Sequence, residues 1–280
     1  MGLGSSVVAR RGTIMTRFHG VADTLYIPLE ARIYVSKRYP DFFYDAKALE
    51  LEQHIPNRSV RKKSMEYAFV ASVARYFVLD LWVREFCARH EQCNVVNLGV
   101  GLDTFAQRLD LPGARLYGVD LPHVIDVRRA LLSDDSPETM IAADILDLSW
   151  TKHIDCSLPT VLLAAGVFQY FTHDTVVSFI NALGDVFSEP EVLFDATNKS
   201  GLAIANFYVR ITGNKSAEMG FYVDDPVALA NECHATVVEQ RPFFTEARSI
   251  LGRRVKPHVR LFTGIADKRR SALLVHLRLT

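Results

Sequence analysis

The chain has 280 residues, and 49% of them are hydrophobic, which is enough material for a sizeable core. Its 32 basic and 32 acidic residues cancel. This balance argues against a dedicated nucleic-acid-binding protein, because such proteins carry a basic excess. The longest apolar stretch, 161–171, is far shorter than the roughly 20 residues that cross a bilayer, so we expect no membrane partner.

The four cysteines form neither a CxxC pair nor a metal-like grouping with histidine. Cysteines used in this way are typical of reduced thiols. The sequence therefore predicts a cytoplasmic protein without a bound metal.

The segment before the first predicted strand is mostly helical. Hydrophobic spacing predicts helices over 25–39, over 46–54 with Asp45 as the N-cap, and over 65–88. The hydrophobic period then changes to that of short strands, which we predict at 94–98, 116–119, 140–143, 160–165, 191–196 and 272–279. Residues 198–223 show no clear period, and we expect a lid there.

Helical stretches separate most of these strands, which predicts an α/β fold with a mainly parallel sheet and helices on both faces. We expect a helical cover over 1–92 and a Rossmann-like core over 93–280, with a lid insertion near 198–225. Ligands of such sheets bind at the carboxyl ends of the strands. This rule brings Gly99, Asp120, Asp144 and Gly166 to one crevice.

The most informative local motif is NLGVGLDTFAQRL at 97–109. Gly99 and Gly101 allow a tight turn and a close approach of the backbone to a ligand. Either Asp103 or Thr104 can cap the helix that follows. Asp120, at the end of the next strand, can accept hydrogen bonds from both hydroxyls of a ribose.

Two cofactors use this geometry. The dinucleotide motif GxGxxG requires a third glycine beside the pyrophosphate, and Thr104 occupies that position. S-adenosylmethionine has a ribose and an adenine but no pyrophosphate, so GxG is sufficient. Asp144 followed by Ile145 suits an adenine, because the carboxylate can accept from the exocyclic amine. We therefore favour S-adenosylmethionine over a dinucleotide.

The sequence resembles the leucine carboxyl methyltransferase and tetracenomycin-type polyketide O-methyltransferase family. The matching segments are IPLEAR (27–32), 75–80, VVNLGVGLDTFAQRL (95–109), GVDLPHVIDVRRALL (118–132), AADILDLSW (142–150), GVFQYF (166–171) and GFYVDDP (220–226). The resemblance implies a class I methyltransferase fold, with a seven-stranded sheet and a helical cover over the active site.

The same resemblance implies the site residues. It assigns Arg75 to the carboxylate of the methionyl part of the cofactor, which a guanidinium can clamp with two hydrogen bonds. The other implied cofactor-binding residues are Gly99 and Gly101 for the methionyl part, Asp120 and Leu121 for the ribose, Asp144 and Ile145 for the adenine, and Ala165. Members of the family carry Glu, not Ala, at position 165. Tyr170 matches the family tyrosine and is implied to face the transfer site as the catalytic residue.

We therefore expect an S-adenosylmethionine-dependent O-methyltransferase that acts on a small, secondary-metabolite-like molecule. The expected acceptor is a carboxylate, which gives a methyl ester and is already ionised at neutral pH, so no strong base is needed. Three alternatives remain: a cofactor-binding protein without turnover, for which Ala165 is the motive, a methyltransferase of protein C-terminal carboxylates, and a Rossmann-type oxidoreductase. For assembly, a homodimer is one option.

Overall fold

A seven-stranded sheet lies at the centre of the computed structural model, which describes residues 22–55, 66–132, 136–211 and 219–280. The strands are β1 (Cys93–Leu98), β2 (Ala114–Asp120), β3 (Glu138–Ala142), β4 (Thr160–Ala164), β5 (Glu191–Thr197), β6 (Ala235–Pro242) and β7 (Ala272–Leu279). Parts of the predicted cover (1–21 and 56–65) and of the predicted lid (212–218) lie outside the described residues.

The spatial order of the strands is β3-β2-β1-β4-β5-β7-β6. The five strands from β3 to β5 pair in parallel, while β7 pairs antiparallel with both β5 and β6. The central strands are buried along their whole length, as β1 and β4 illustrate, because helices cover both faces. The predicted α/β fold with a mainly parallel sheet is confirmed.

Helices precede and connect the strands. They are α1 (Ala22–Arg38), α2 (Ala46–Leu51), α3 (Glu66–Cys87), α4 (Phe105–Arg108), α5 (Pro122–Leu132), α6 (His173–Val186), α7 (Lys199–Ile211), α8 (Pro226–Glu232), α9 (Thr245–Leu251) and α10 (Pro257–Lys268). Short 3₁₀ turns cover Glu52–His54, Leu148–His153 and Phe168–Tyr170. No helix in the described ranges is long and apolar enough to cross a bilayer.

Two hydrophobic clusters sandwich the sheet. On one face, α1, α3 and α9 pack through residues such as Val73 and Leu251. On the other face, α6 and α8 pack through residues such as Ile180 and Leu229. All four cysteines are free thiols, as the sequence predicts.

Two elements differ from the sequence prediction. The aperiodic stretch expected at 198–223 contains helix α7, in which Gly201 stands in the first turn. A Cβ at Gly201 would lie 2.2 Å from the carbonyl oxygen of Ser271, so this glycine permits a close approach and does not break the helix. Strand β6 was also missed, because it is a half-buried edge strand with an irregularity between Val237 and Glu239.

Candidate functional site

The parallel strands end at one edge of the sheet, and the predicted site residues follow these ends. Asp120 is the last residue of β2 and pairs with Ala142 at the end of β3. The turns after β1 and β4 start next to them, at Gly99 and Ala165. The edge therefore brings together the residues that the sequence placed around one crevice.

The turn after β1 requires glycine. Gly99 and Gly101 have φ angles of 61° and 50°, in the left-handed region that side chains disfavour. A Cβ at Gly99 would lie 2.6 Å from Cγ2 of Val167, so the turns after β1 and β4 touch at this point. The first turn of α1 approaches the same loop, since a Cβ at Gly101 would lie 3.5 Å from Leu25.

Asp120 holds this loop with its carboxylate. Its Oδ2 accepts the N–H of Gly101 at 2.8 Å, and its Oδ1 accepts the N–H of Leu121 at 2.8 Å. Burial raises the pKa of Asp120, and the two N–H groups oppose this shift only in part. Each oxygen keeps one further acceptor position, which is what two neighbouring hydroxyl groups need.

Arg75 extends from α3 to the turn after β4. Its Nη1 donates to Oδ2 of Asp195 at 3.1 Å, and its side chain is only 12% exposed. The same nitrogen lies 2.7 Å from the position of a Cβ at Gly166, so a side chain at this position would displace the guanidinium. Burial lowers the pKa of Arg75, but Asp195 outweighs this effect and the group stays charged. Its Nε is buried and makes no hydrogen bond within the described residues.

Asp144 and Ile145 form the turn after β3. The N–H of Ala143 donates to the carbonyl oxygen of Asp120 at 2.9 Å, which fixes this turn beside the end of β2. The Asp144 carboxylate is exposed and accepts the N–H of Leu146 at 3.0 Å. Ile145 is buried.

Three further predicted residues lie at the same edge. Tyr170 ends the 3₁₀ turn after β4 and is 47% exposed, and its hydroxyl makes no hydrogen bond within the described part of the chain. Leu121 is exposed at the end of β2, and Ala165 is partly buried against the cluster that contains α3.

Asp103 and Thr104 have a different role from the one predicted. Neither caps α4 through its side chain, and α4 is only four residues long. Instead the Thr104 hydroxyl donates to Asp45 at 2.6 Å, and Asp103 accepts from Arg108 at 3.0 Å. Arg32 completes this buried network by donating to the carbonyl oxygen of Leu102 at 2.6 Å. The network holds the residues that directly follow the glycine loop. Of its members, the sequence predicted only the role of Asp45 as an N-cap.

Sequence reasoning also missed a pair of side chains, one of which belongs to a residue three positions after Tyr170. The Nε2 of His173, at the start of α6, lies 2.7 Å from Oε2 of Glu232, and both side chains are partly exposed. The two residues are 59 positions apart, and no motif connects them. The fold alone makes them an imidazole–carboxylate pair.

The sequence of the chain is similar to known proteins. The family described as leucine carboxyl methyltransferase matches residues 28–184, more than half of the chain. The chain belongs to this family. The tetracenomycin polyketide synthesis O-methyltransferase TcmP of Streptomyces glaucescens is 26% identical over 245 residues, covering 84% of this chain and 89% of TcmP. The S-adenosyl-L-methionine-dependent methyltransferase dpfgK of Gibberella zeae is 25% identical over 254 residues, covering 83% and 85%.

Solved structures share the fold. A candidate methyltransferase from Thermobifida fusca superposes with a TM-score of 0.57 at 21% identity, covering 89% of this chain and 94% of its own. A DUF574 family protein from Streptomyces avermitilis gives a TM-score of 0.53 at 17% identity, covering 90% and 97%. The fold prediction is therefore confirmed by structures as well as by the family.

The protein is thus an S-adenosylmethionine-dependent methyltransferase. Its residues fit this cofactor. Arg75 offers a buried nitrogen that has no partner among the described residues, and Asp120 offers two acceptor positions. The position of the third glycine in the dinucleotide motif is filled by Thr104, which is fully buried in the network below the loop. Because the glycine that a dinucleotide needs is missing, the chain does not fit the oxidoreductase alternative.

Proposed function

We propose that this methyltransferase transfers the methyl group to an oxygen of a small-molecule acceptor, and that the oxygen belongs to a carboxylate, which becomes a methyl ester. The family is named for a carboxyl methyltransferase, and TcmP is named for O-methylation in polyketide synthesis. Both names support oxygen as the acceptor atom.

The observation that supports a carboxylate acceptor is that the acidic side chains at the site edge already accept hydrogen bonds. Asp144 and Asp195 each accept a backbone N–H, and Asp195 is also paired with Arg75, while Asp120 is the acid proposed for the ribose. A carboxylate engaged in this way is a poor general base. An acceptor that is already ionised at neutral pH needs no base, so a carboxylic acid suits this edge.

The chain's own residues would hold the cofactor as follows. Arg75 would bind its carboxylate, Gly99 and Gly101 would line its methionyl part, and Asp120 with Leu121 would hold the ribose. Asp144 and Ile145 would contact the adenine, with Ala165 beside the methionyl part. When bound, S-adenosylmethionine supplies a methyl group activated by a positively charged sulfur.

Tyr170 would orient the acceptor. Tyr170 is exposed and its hydroxyl has no partner in the described residues, so it can donate to an acceptor oxygen. Holding that oxygen in line with the methyl group is the main contribution that a protein can make to such a transfer. No proton has to move when the acceptor is a carboxylate.

A hydroxyl acceptor is a second candidate, and the pair of His173 and Glu232 favours it. An imidazole oriented by a carboxylate is a common general base, and a phenol or alcohol must lose a proton during methylation. His173 lies three residues after Tyr170, on the element that follows the same turn. A hydroxyl acceptor therefore requires His173 as a base, whereas a carboxylate acceptor does not.

The test compares matched acceptors. Product formation is measured by mass spectrometry for an aromatic carboxylic acid, for the phenol of the same ring system and for a peptide with a free C-terminal carboxylate. We expect methylation of the carboxylic acid, and we expect His173→Gln to leave its rate unchanged. The exposed His258 provides the matched control His258→Gln.

The other outcomes decide against the proposal. Methylation of the phenol alone, lost in His173→Gln and kept in His258→Gln, would establish the hydroxyl acceptor. Methylation of the peptide alone would establish a protein C-terminus as the acceptor.

A further inference from the structure

Asp195 is a buried carboxylate that the assignments above leave without a ligand. It lies near the end of β5 and is only 9% exposed at its side chain. Its Oδ2 accepts from Arg75 at 3.1 Å, and its Oδ1 accepts the N–H of Gly166. The pair therefore places one positive and one negative charge side by side at the turn after β4.

The negative charge of Asp195 is electrostatically unfavourable in a site that binds only a carboxylate. An acid in contact with Arg75 weakens the attraction of the guanidinium for an incoming anion, and it repels that anion directly. A ligand that carries a cation next to its carboxylate removes this conflict. The amino-acid part of S-adenosylmethionine is such a ligand, since it has an α-ammonium and an α-carboxylate on one carbon.

Both members of the pair keep hydrogen-bonding capacity for this ligand. The Nε of Arg75 is buried and has no partner within the described residues. The two Asp195 oxygens accept one N–H each, and a carboxylate oxygen has room for a second donor. The donors and acceptors of the pair thus match the acceptors and donors of an α-amino acid.

The strand register explains why Asp195 can serve here. Ala164 pairs with Phe194 in parallel, so the next residues along the two strands, Ala165 and Asp195, are neighbours at the site edge. The Asp195 carboxylate on β5 therefore lies beside the turn after β4, where its Oδ1 accepts the N–H of Gly166.

We propose that Asp195 binds the α-ammonium group of the cofactor, beside the carboxylate bound by Arg75. This inference rests on the proposed role of Arg75. It makes Asp195 a cofactor-binding residue that determines recognition of the ammonium.

The test uses three ligands and isothermal titration calorimetry. S-adenosylhomocysteine carries both groups, its des-amino analogue keeps only the carboxylate, and its decarboxylated analogue keeps only the ammonium. Asp195→Asn should bind S-adenosylhomocysteine and the decarboxylated analogue about tenfold more weakly, the loss of a charged hydrogen bond. Its affinity for the des-amino analogue should stay the same or rise, because the amide no longer repels the carboxylate.

Arg75→Lys should give the opposite pattern, with losses for S-adenosylhomocysteine and the des-amino analogue. Asp267→Asn is the matched control, because Asp267 is another buried acid that accepts one backbone N–H, from Phe244, and one guanidinium N–H, from Arg248. It should leave all three affinities unchanged. The unmodified protein provides a test without any variant, since it should bind S-adenosylhomocysteine at least tenfold more tightly than the des-amino analogue.

Several results would overturn the inference. Equal affinity of the unmodified protein for S-adenosylhomocysteine and its des-amino analogue would remove the ammonium contact. If Asp195→Asn loses affinity only for the two ligands that carry the carboxylate, Asp195 is a positioning residue for Arg75. If it loses affinity equally for all three ligands, Asp195 is structural. A failure of the unmodified protein to bind S-adenosylhomocysteine would instead contradict the proposed cofactor site as a whole.

Discussion

Arg32 and Asp45 form a fully buried ion pair, in which Nη1 of Arg32 donates to Oδ2 of Asp45 at 2.8 Å. The pair joins α1 to the start of α2, and both residues also contact the segment after β1. The arginine of the IPLEAR segment is therefore part of the support of the glycine loop, more than 60 residues away in sequence.

Arg32→Met should destabilise the protein by about 3–5 kcal/mol, because it leaves Asp45 as a buried charge with one partner fewer. Urea denaturation at pH 7 measures this loss. Arg115→Met is the control, since the pair of Arg115 and Asp155 lies at the surface and should contribute little. Equal midpoints for the two variants would contradict a structural role of Arg32.

Gly99→Ala should cost more stability than Gly101→Ala. Both glycines have left-handed φ angles, of 61° and 50°, but a Cβ at Gly101 would make only an ordinary contact, at 3.5 Å from Leu25. Gly101→Ala therefore reports the backbone strain, about 1–3 kcal/mol. Gly99→Ala adds the clash with Val167. Thermal unfolding of both variants measures the difference, and a smaller loss at Gly99 would mean that the turns after β1 and β4 do not touch.

Asp120→Ala should weaken the binding of S-adenosylhomocysteine at least tenfold while the protein stays folded. The variant loses the acceptor of the ribose hydroxyls and the hydrogen bond that holds Gly101. Isothermal titration measures the affinity, and circular dichroism checks the fold. Asp126→Ala, which removes an exposed acid from α5, should bind normally. Normal affinity of a folded Asp120→Ala would exclude Asp120 from the site.

Tyr170→Phe should lower turnover a few-fold and leave cofactor affinity unchanged. The loss of one neutral hydrogen bond costs about 0.5–1.5 kcal/mol, which acts on the rate when the bond orients the acceptor. Single-turnover kinetics at saturating cofactor measures the effect, with Tyr44→Phe as the control at an exposed tyrosine far along the chain. A drop of many thousandfold would indicate that Tyr170 takes part in proton transfer.

Glu191 should make stability depend on pH in the acid range. Burial raises its pKa, but His276 and then Arg278 and Arg89 outweigh this effect and lower the pKa of Glu191 from 4.5 to about 2. Because the pKa is lower in the folded protein, the stabilisation is complete above pH 4.5 and is lost as the pH falls toward about 2.

The measurement is the urea midpoint at pH 7 and at pH 3 for the unmodified protein and for Glu191→Gln. The variant should be less stable at pH 7, and its midpoint should change less between the two pH values. An equal change in both proteins would show that other carboxylates cause the acid dependence.

Local patterns in the sequence predicted the centre of the fold well. The first five strands were found from short β-prone stretches, and their order along the chain implied one edge at which Gly99, Asp120 and Asp144 lie. These features depend on residues that are close in sequence, where hydrophobic period and turn residues carry the signal.

Features that depend on distant residues were not predictable in this way. The contact of Asp195 with Arg75 joins residues 120 positions apart, and the pairing of Thr104 with Asp45 turned a predicted cap into a buried network. Strand β6 was not predicted because this edge strand has no fully buried face. Helix α7 was not predicted because its Gly201 is required by the close approach of Ser271, a residue distant in sequence, and not by the helix itself.

The sheet order imposes a sequence of events on synthesis. Strand β7 follows β6 along the chain but lies between β5 and β6 in the sheet. A ribosome therefore releases β5 and β6 before the strand that separates them, and both present unpaired main-chain groups in the meantime. Direct pairing of β5 with β6 would have to dissociate before β7 could insert. The sheet is therefore completed at this side only after β7 has been synthesised.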